Sequence, residues 1–376
     1  MVERAHLLGT EISLPLWRRW PEWVGYAAAF WSLIYGALGL WWALGGAGFP
    51  FGTENDPKAA AESILGGARA ETAAPVVAGL GLVGAALALA MARGSRGRGI
   101  LRVALLVFAW GLCVALLLVV PDRRVLVAVA YAPVFLVGAP FGWPPVNYFE
   151  VALPWPVINQ AICMAGGFFW AGAALAYGRR IRDACGNCGR AGSATGWTTP
   201  DSAARWGRWA TYTAAIVPLP YAAIRWAWAL GFPLGISKEF LREGQEIGMW
   251  WAGAALSTVD LAGVILTLGL VQRWGEVFPR WMVGFSGKRV PLALAIVPAS
   301  LVSVMVTSAG LQAVRGFLSD GFPADGWATT APGLLWPVWG VALGAATLAY
   351  YYRTRDRCDV CGRGKCSSRS RQKRTT

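Results

Sequence analysis

The sequence predicts an all-α integral membrane protein built from two tandem, parallel repeats of four transmembrane helices, eight spans in all, with one further re-entrant or interfacial segment. Three observations predict it. Of 376 residues, 56% are hydrophobic and only 14% charged, with 22 Trp, a balance unlike that of an ordinary soluble domain. Apolar runs recur at the length of about 20 residues that a bilayer-spanning helix needs. The 16-residue frame L-A-Y-x-x-R-x-R-D-x-C-x-x-C-G-R occurs twice, as LAYGRRIRDACGNCGR from Leu175 and LAYYYRTRDRCDVCGR from Leu348, so that Cys358 follows Cys185 at an offset of 173.

Residues 1–22 are polar and lack the short apolar stretch and small-residue cleavage site of a signal peptide. They read as a cytoplasmic N-terminal segment before a permanent first anchor. The first repeat, 23–190, holds spans Val24–Leu44, Thr72–Ala92, Ile100–Val120 and Val157–Tyr177 and ends in the first cysteine pair. A linker, 191–207, leads to the second repeat, 208–363, with spans Trp209–Gly231, Gly248–Val271, Val290–Leu311 and Pro332–Tyr352. Residues 364–376 form a basic, Ser-rich tail expected to be disordered and to meet anionic lipid.

The repeat extends beyond the cysteine frame. Tyr26, Leu33, Tyr35 and Trp42 of the first span stand in register with Tyr212, Leu219, Tyr221 and Trp228 of the fifth. F-P-x-G follows in both copies, at Phe49–Gly52 and Phe232–Gly235, and Trp155-Pro156-Val157 matches Trp336-Pro337-Val338. An even number of spans per copy gives both copies one orientation. With the cysteines inside, 26 of the 34 Lys and Arg lie on the inner side and 7 on the outer, Arg225 being within a span. That asymmetry predicts a plasma or inner membrane with both termini cytoplasmic, and it accounts for the net charge of +14 without a nucleic-acid partner.

Val125–Pro140 is apolar but short, contains Pro133 and has no counterpart in the second copy, where a polar loop stands. Counted as a span, it would turn the first cysteine pair outward and break the repeat. It is therefore expected to be re-entrant or interfacial, its backbone sheltered by protein; a ninth span is the alternative.

Cys185, Cys188, Cys358 and Cys361 carry the clearest chemistry. Thiolates bind Zn²⁺ tetrahedrally, and a CxxC turn lets two sulfurs converge while the next Gly frees backbone N–H groups to face them. Cys-x-x-Cys-Gly-Arg resembles the knuckle of a zinc ribbon over six residues per copy, which names a turn and no family. The duplication suggests a split site, two ligands from each copy, with Arg179, Arg180, Arg182, Arg353, Arg355 and Arg357 stabilising the thiolates. Thiol–disulfide chemistry and free thiols in a basic loop are the competing readings. Cys113 and Cys163, within spans, read as packing residues.

His6 is the only histidine, which excludes His-ligated haem and a Ser-His-Asp triad. Asp260 is the one carboxylate deep in a span and Arg225 the one intramembrane cation; such groups are costly and mark functional candidates. Arg225 lies about 24 Å along its helix and can snorkel to the outer interface. Asp260, about 18 Å from the outer face, needs a partner or water, and Ser257, Thr258 and Arg225 are the partners nearest in sequence. Pro218, Pro220 and Pro298 interrupt spans of the second copy, and Ser300, Ser303, Thr307 and Ser308 recur there at helical spacing. The expected activity is a carrier or channel for a small solute or ion. A membrane scaffold that docks a cytoplasmic protein is the alternative, and no catalytic set is legible.

Overall fold

The computed structural model describes residues 19–94, 99–142, 147–192, 196–282, 284–324, 326–358 and 360–364. His6, Cys366 and all of the tail beyond 364 lie outside the described residues. Ten helices organise the chain: α1 Trp20–Ala43, α2 Ala70–Ala92, α3 Ile100–Val114, α4 Arg123–Gly138, α5 Trp155–Ile181, α6 Pro200–Ile216, α7 Leu219–Ala229, α8 Met249–Leu268, α9 Leu292–Asp320 and α10 Trp336–Thr354. Shorter helical turns join them, and α3 runs on through a π-helical turn at Ala115–Val119. Among the described residues β structure is limited to one bridge, Val277 with Arg289.

Local chemistry sets the helix starts. Pro21, Pro156, Pro200 and Pro337 stand in first turns, where a missing N–H costs nothing and φ is preset. Asp122 and Thr199 cap α4 and α6, their side chains accepting from Arg124 N and Ser202 N.

Among the described residues seven helices are long and apolar enough to cross a membrane: α1, α2, α3 with its π turn, α4 extended to Phe141, α5, α8 and α9. Eight spans were expected, and the two sets differ in three places. The expected fifth span is divided at Val217 and Pro218 into α6 and α7, of 17 and 11 residues, neither long enough alone. Proline removes a helix hydrogen bond and clashes with the preceding turn. The expected eighth span is α10, 19 residues in which Trp, Tyr and Gly dilute the apolar content. The third difference is α4.

Val125–Pro140 forms an unbroken helix through Pro133, so proline does not interrupt it there. The excursion nevertheless starts and finishes at one end of the bundle. At its start Asp122 N donates to Gln160 Oε1 at 2.9 Å and Gln160 Nε2 donates to Asp122 Oδ2 at 2.7 Å, tying it to the second turn of α5. The returning chain runs beside α4, with Tyr148 Oη donating to Ala128 O at 2.7 Å, and re-enters α5 at Trp155.

The two halves have the same neighbour order. In the first, α1 packs on α2 and α5, and α3 packs on α5; in the second, α6 and α7 pack on α8, α6 packs on α10, and α9 packs on α10. Small residues allow the closest approach, since a Cβ on Gly81 would lie 2.5 Å from Gly36 Cα. The main core gathers around Trp170, whose Nε1 donates to Ser32 Oγ at 3.1 Å, and takes in Met305 from α9 of the second half. The halves thus share a core.

Candidate metal centre and intramembrane polar residues

Each cysteine pair follows the last helix of its half, and the two loops have the same backbone. Cys185 N donates to Arg190 O at 3.0 Å and Gly189 N to Cys185 O at 2.8 Å; Cys358 N donates to Arg363 O at 3.0 Å and Gly362 N to Cys358 O at 2.8 Å. These closures require Gly189 and Gly362 at φ +70° and +67°, a conformation available to glycine without a Cβ clash. Equivalent cysteines face one another, Cys185 Sγ 3.9 Å from Cys358 Sγ and Cys188 Sγ 3.6 Å from Cys361 Sγ. All four sulfurs lie within 4.8 Å of one another, so the site is wider on some edges than the roughly 4 Å expected of bound ligands.

The arginines act mainly on the loop backbones. Arg190 Nη1 donates to Arg363 O at 2.8 Å while Arg363 Nη1 donates to Arg190 O at 3.0 Å, a reciprocal exchange about a local two-fold. Arg355 Nη1 reaches Cys188 O at 3.2 Å, Arg179 Nη1 reaches Gly186 O at 2.7 Å, Arg182 Nε reaches Gly178 O at 3.1 Å and Arg357 Nε reaches Gly362 O at 2.7 Å. Arg180 and Arg353 turn away to the ends of α2 and α8. The expectation that all six flanking arginines serve the thiolates is thereby corrected: saturating exposed carbonyls is their principal task, although Arg179 stays within electrostatic range of Cys185 and Cys188.

The thiols are electrostatically unequal. Burial opposes ionisation of Cys185, but backbone amides of Cys188 and Asn187 and neighbouring thiols outweigh it and bring Cys185 down to about 7. Cys361 is pushed up to about 12, by burial first and also by hydrogen bonding with the other cysteines. One easily ionised sulfur beside a proton-retaining one is what a cluster of like acids produces. A dication would remove the conflict by favouring four thiolates.

The intramembrane candidates do not gather into one group. Arg225 lies over the rings of Tyr221 and Trp228, 5.1 and 4.9 Å from their centres. Ser257 Oγ and Thr258 Oγ1 both donate to Ala254 O at 2.9 Å within their own helix. Asp260 Oδ2 is buried without a hydrogen-bond partner. Of the α9 hydroxyls, Ser303 donates to Gly340 O at 2.7 Å, Thr307 to Ser303 O at 2.7 Å, and Ser308 crosses to Pro121 O of the first half at 2.5 Å. Pro298 lies inside an unbroken α9.

Two polar groups escaped the sequence reading. Asp122, fully buried, pairs with Arg124 at 2.6 Å, and Arg124 also reaches Asp56 at 2.7 Å, joining two loops far from the cysteines. Within the first core, Cys163 Sγ donates to Tyr35 Oη at 2.9 Å and Tyr35 Oη donates to Asn159 Oδ1. The available signal was Asn159 and Cys163 spaced one helical turn apart in an apolar run. No family model, curated protein or solved structure matches this chain.

Proposed function

We propose that this chain is an internally duplicated multi-pass membrane protein, two parallel copies of four helices each, whose cysteine-bearing cytoplasmic ends are clasped by one structural zinc ion. The convergence of four thiols from two equivalent loops carries the reading. Zn–S bonds of about 2.3 Å place tetrahedral sulfurs about 3.8 Å apart, near the 3.9 and 3.6 Å found between equivalent cysteines. Zinc in four thiolates has no open position and supplies a cross-link. Duplication is supported by the repeated frame, the common neighbour order and the matching loop hydrogen bonds. Purified protein is expected to hold one zinc per chain, exchangeable for Co²⁺ with thiolate charge-transfer absorption, and Cys185→Ser or Cys358→Ser is expected to lose both. Metal-free wild-type protein purified without chelator would remove the clasp.

Within this frame the activity is passage of a small solute or ion through the lipid bilayer, with Asp260 as its polar contact in the second copy. The specific support is the buried Oδ2 of Asp260 that no protein donor meets. An ionised Asp at a helix centre costs about 2.5–3.5 kcal/mol on insertion scales, and a passing cation, proton or water would offset that cost. In proteoliposomes, Asp260→Asn is expected to abolish pH-dependent flux while leaving the unfolding midpoint unchanged. If wild type shows no flux, or the variant equals it, the alternative takes over: a non-transporting scaffold that docks a cytoplasmic protein on its cysteine-bearing face.

A further inference from the structure

At the end of the bundle away from the cysteines, hydrogen-bond donors gather without acceptors. The Arg225 guanidinium rests against Tyr221 and Trp228, and its stem passes Gly253 of α8, where a Cβ would stand in ordinary contact 3.4 Å from Arg225 Cδ. Tyr131, on α4 of the first half, is within electrostatic range of both Tyr221 and Arg225. Trp336, opening α10, packs edge-on to Tyr221 with ring centres 5.7 Å apart, and its indole N–H is buried with no acceptor. Among the described residues Arg225 has no ion pair and neither tyrosine hydroxyl has a hydrogen-bond partner.

Ring faces attract the guanidinium, and its five N–H groups remain free to donate to a further acceptor. Buried donors without acceptors are rare in folded proteins, and each one calls for an explanation. Here the buried indole N–H of Trp336 and the half-buried guanidinium of Arg225 meet at the ring of Tyr221, with Tyr131 of α4 within electrostatic range, and one of these groups is permanently charged. An oxygen-rich anion matches that set, because carboxylate and phosphate accept the guanidinium fork bidentately and keep further lone pairs for hydroxyl and indole donors.

We propose that Arg225, Tyr131, Tyr221 and Trp336 form a binding site for one oxyanion at the seam between the two halves. The oxyanion belongs either to a free solute or to a phospholipid headgroup. The site is independent of the metal centre: Trp336 opens α10, whose far end leads to Cys358 and Cys361.

The test follows the unfolding midpoint of delipidated full-length protein in detergent, at constant ionic strength set with chloride. Inorganic phosphate, acetate and short-chain phosphatidylglycerol are titrated separately, since a ligand of the folded state raises the midpoint by mass action. At least one probe is expected to give a saturable rise. Arg225→Gln should weaken its affinity about tenfold or more, and Tyr221→Phe or Tyr131→Phe about fivefold. A response to phosphate or acetate assigns a free solute; a response to phosphatidylglycerol that neither reproduces assigns the headgroup. No response from any probe, or equal responses from wild type and Arg225→Gln, overturns the site. Should Arg225→Gln not be monodisperse, the two Tyr→Phe variants, which keep the rings, decide by the same criterion: unchanged affinity in both overturns it.

Discussion

Arg180 and Arg353 hold the same place in the two copies of the repeated frame and perform the same task. Arg180 Nη1 donates to Met91 O and Ala92 O at 3.0 Å, closing the end of α2. Arg353 Nη2 donates to Leu270 O at 2.8 Å just beyond α8, and also pairs with Glu276. The last carbonyls of a helix lack partners and carry partial negative charge, so a cation there stabilises both. Arg180→Ala is expected to lower the unfolding free energy by about 1–3 kcal/mol, with Arg180→Lys recovering part of the loss; a thermal midpoint equal to wild type would contradict the capping role. Sequence spacing identified these residues as important through their repetition, yet it assigned them to the thiolates because only the fold brings the end of α2 beside the end of α5.

At the scale of elements, the closest pairing is α1 with α2, and it depends on absent side chains. A Cβ on Gly81 would approach Gly36 Cα to 2.5 Å, whereas Gly79, two residues earlier, faces open space. Gly81→Ala must push two backbones apart, an overpacking cost of about 1–3 kcal/mol. Gly79→Ala should instead be neutral or stabilising by up to about 1 kcal/mol, because alanine suits a helix better than glycine. Unfolding of the two variants in one detergent checks the contrast, and equal midpoints would contradict this seam. The apolar lengths of α1, α2, α3, α5, α8 and α9 were legible in the sequence. The division of the expected fifth span was legible only as Pro218 and Pro220, because proline marks a weak point without saying whether neighbouring helices keep it straight: Pro298 is accommodated within α9.

The whole molecule is tied across its halves at both ends. At one end stand the four cysteines and the Arg190–Arg363 exchange. At the other, Ser308 donates to Pro121 O and Arg315 to Ser63 O at 2.6 Å, reaching from α9 into loops of the first half. Coexpressed fragments 1–192 and 196–376 are therefore expected to copurify, and a chelator should weaken the pair while the opposite ties and the shared core resist complete separation. Fragments that part without any chelator would count against the shared core; fragments indifferent to it would count against the metal clasp. The proposed orientation has its own test: in intact cells an impermeant thiol reagent should miss Cys188 and Cys361, and labelling of either would reverse the proposed topology.

The sequence alone pointed to a helical membrane protein, because apolar length is a property of composition along the chain. It also determined that two cysteine loops are equivalent, because an internal repeat is its own alignment, and from that equivalence it anticipated their meeting. Which intramembrane polar groups share a neighbourhood depended on how the helices pack. Arg225 and Asp260 were natural partners by chemistry, but the packing of α7 on α8 presents Gly253 to Arg225 and leaves Asp260 two turns further on. Tyr131 could not be connected with Arg225 from sequence, since α4 has no counterpart in the second copy and its place against that half depends on how the two halves pack.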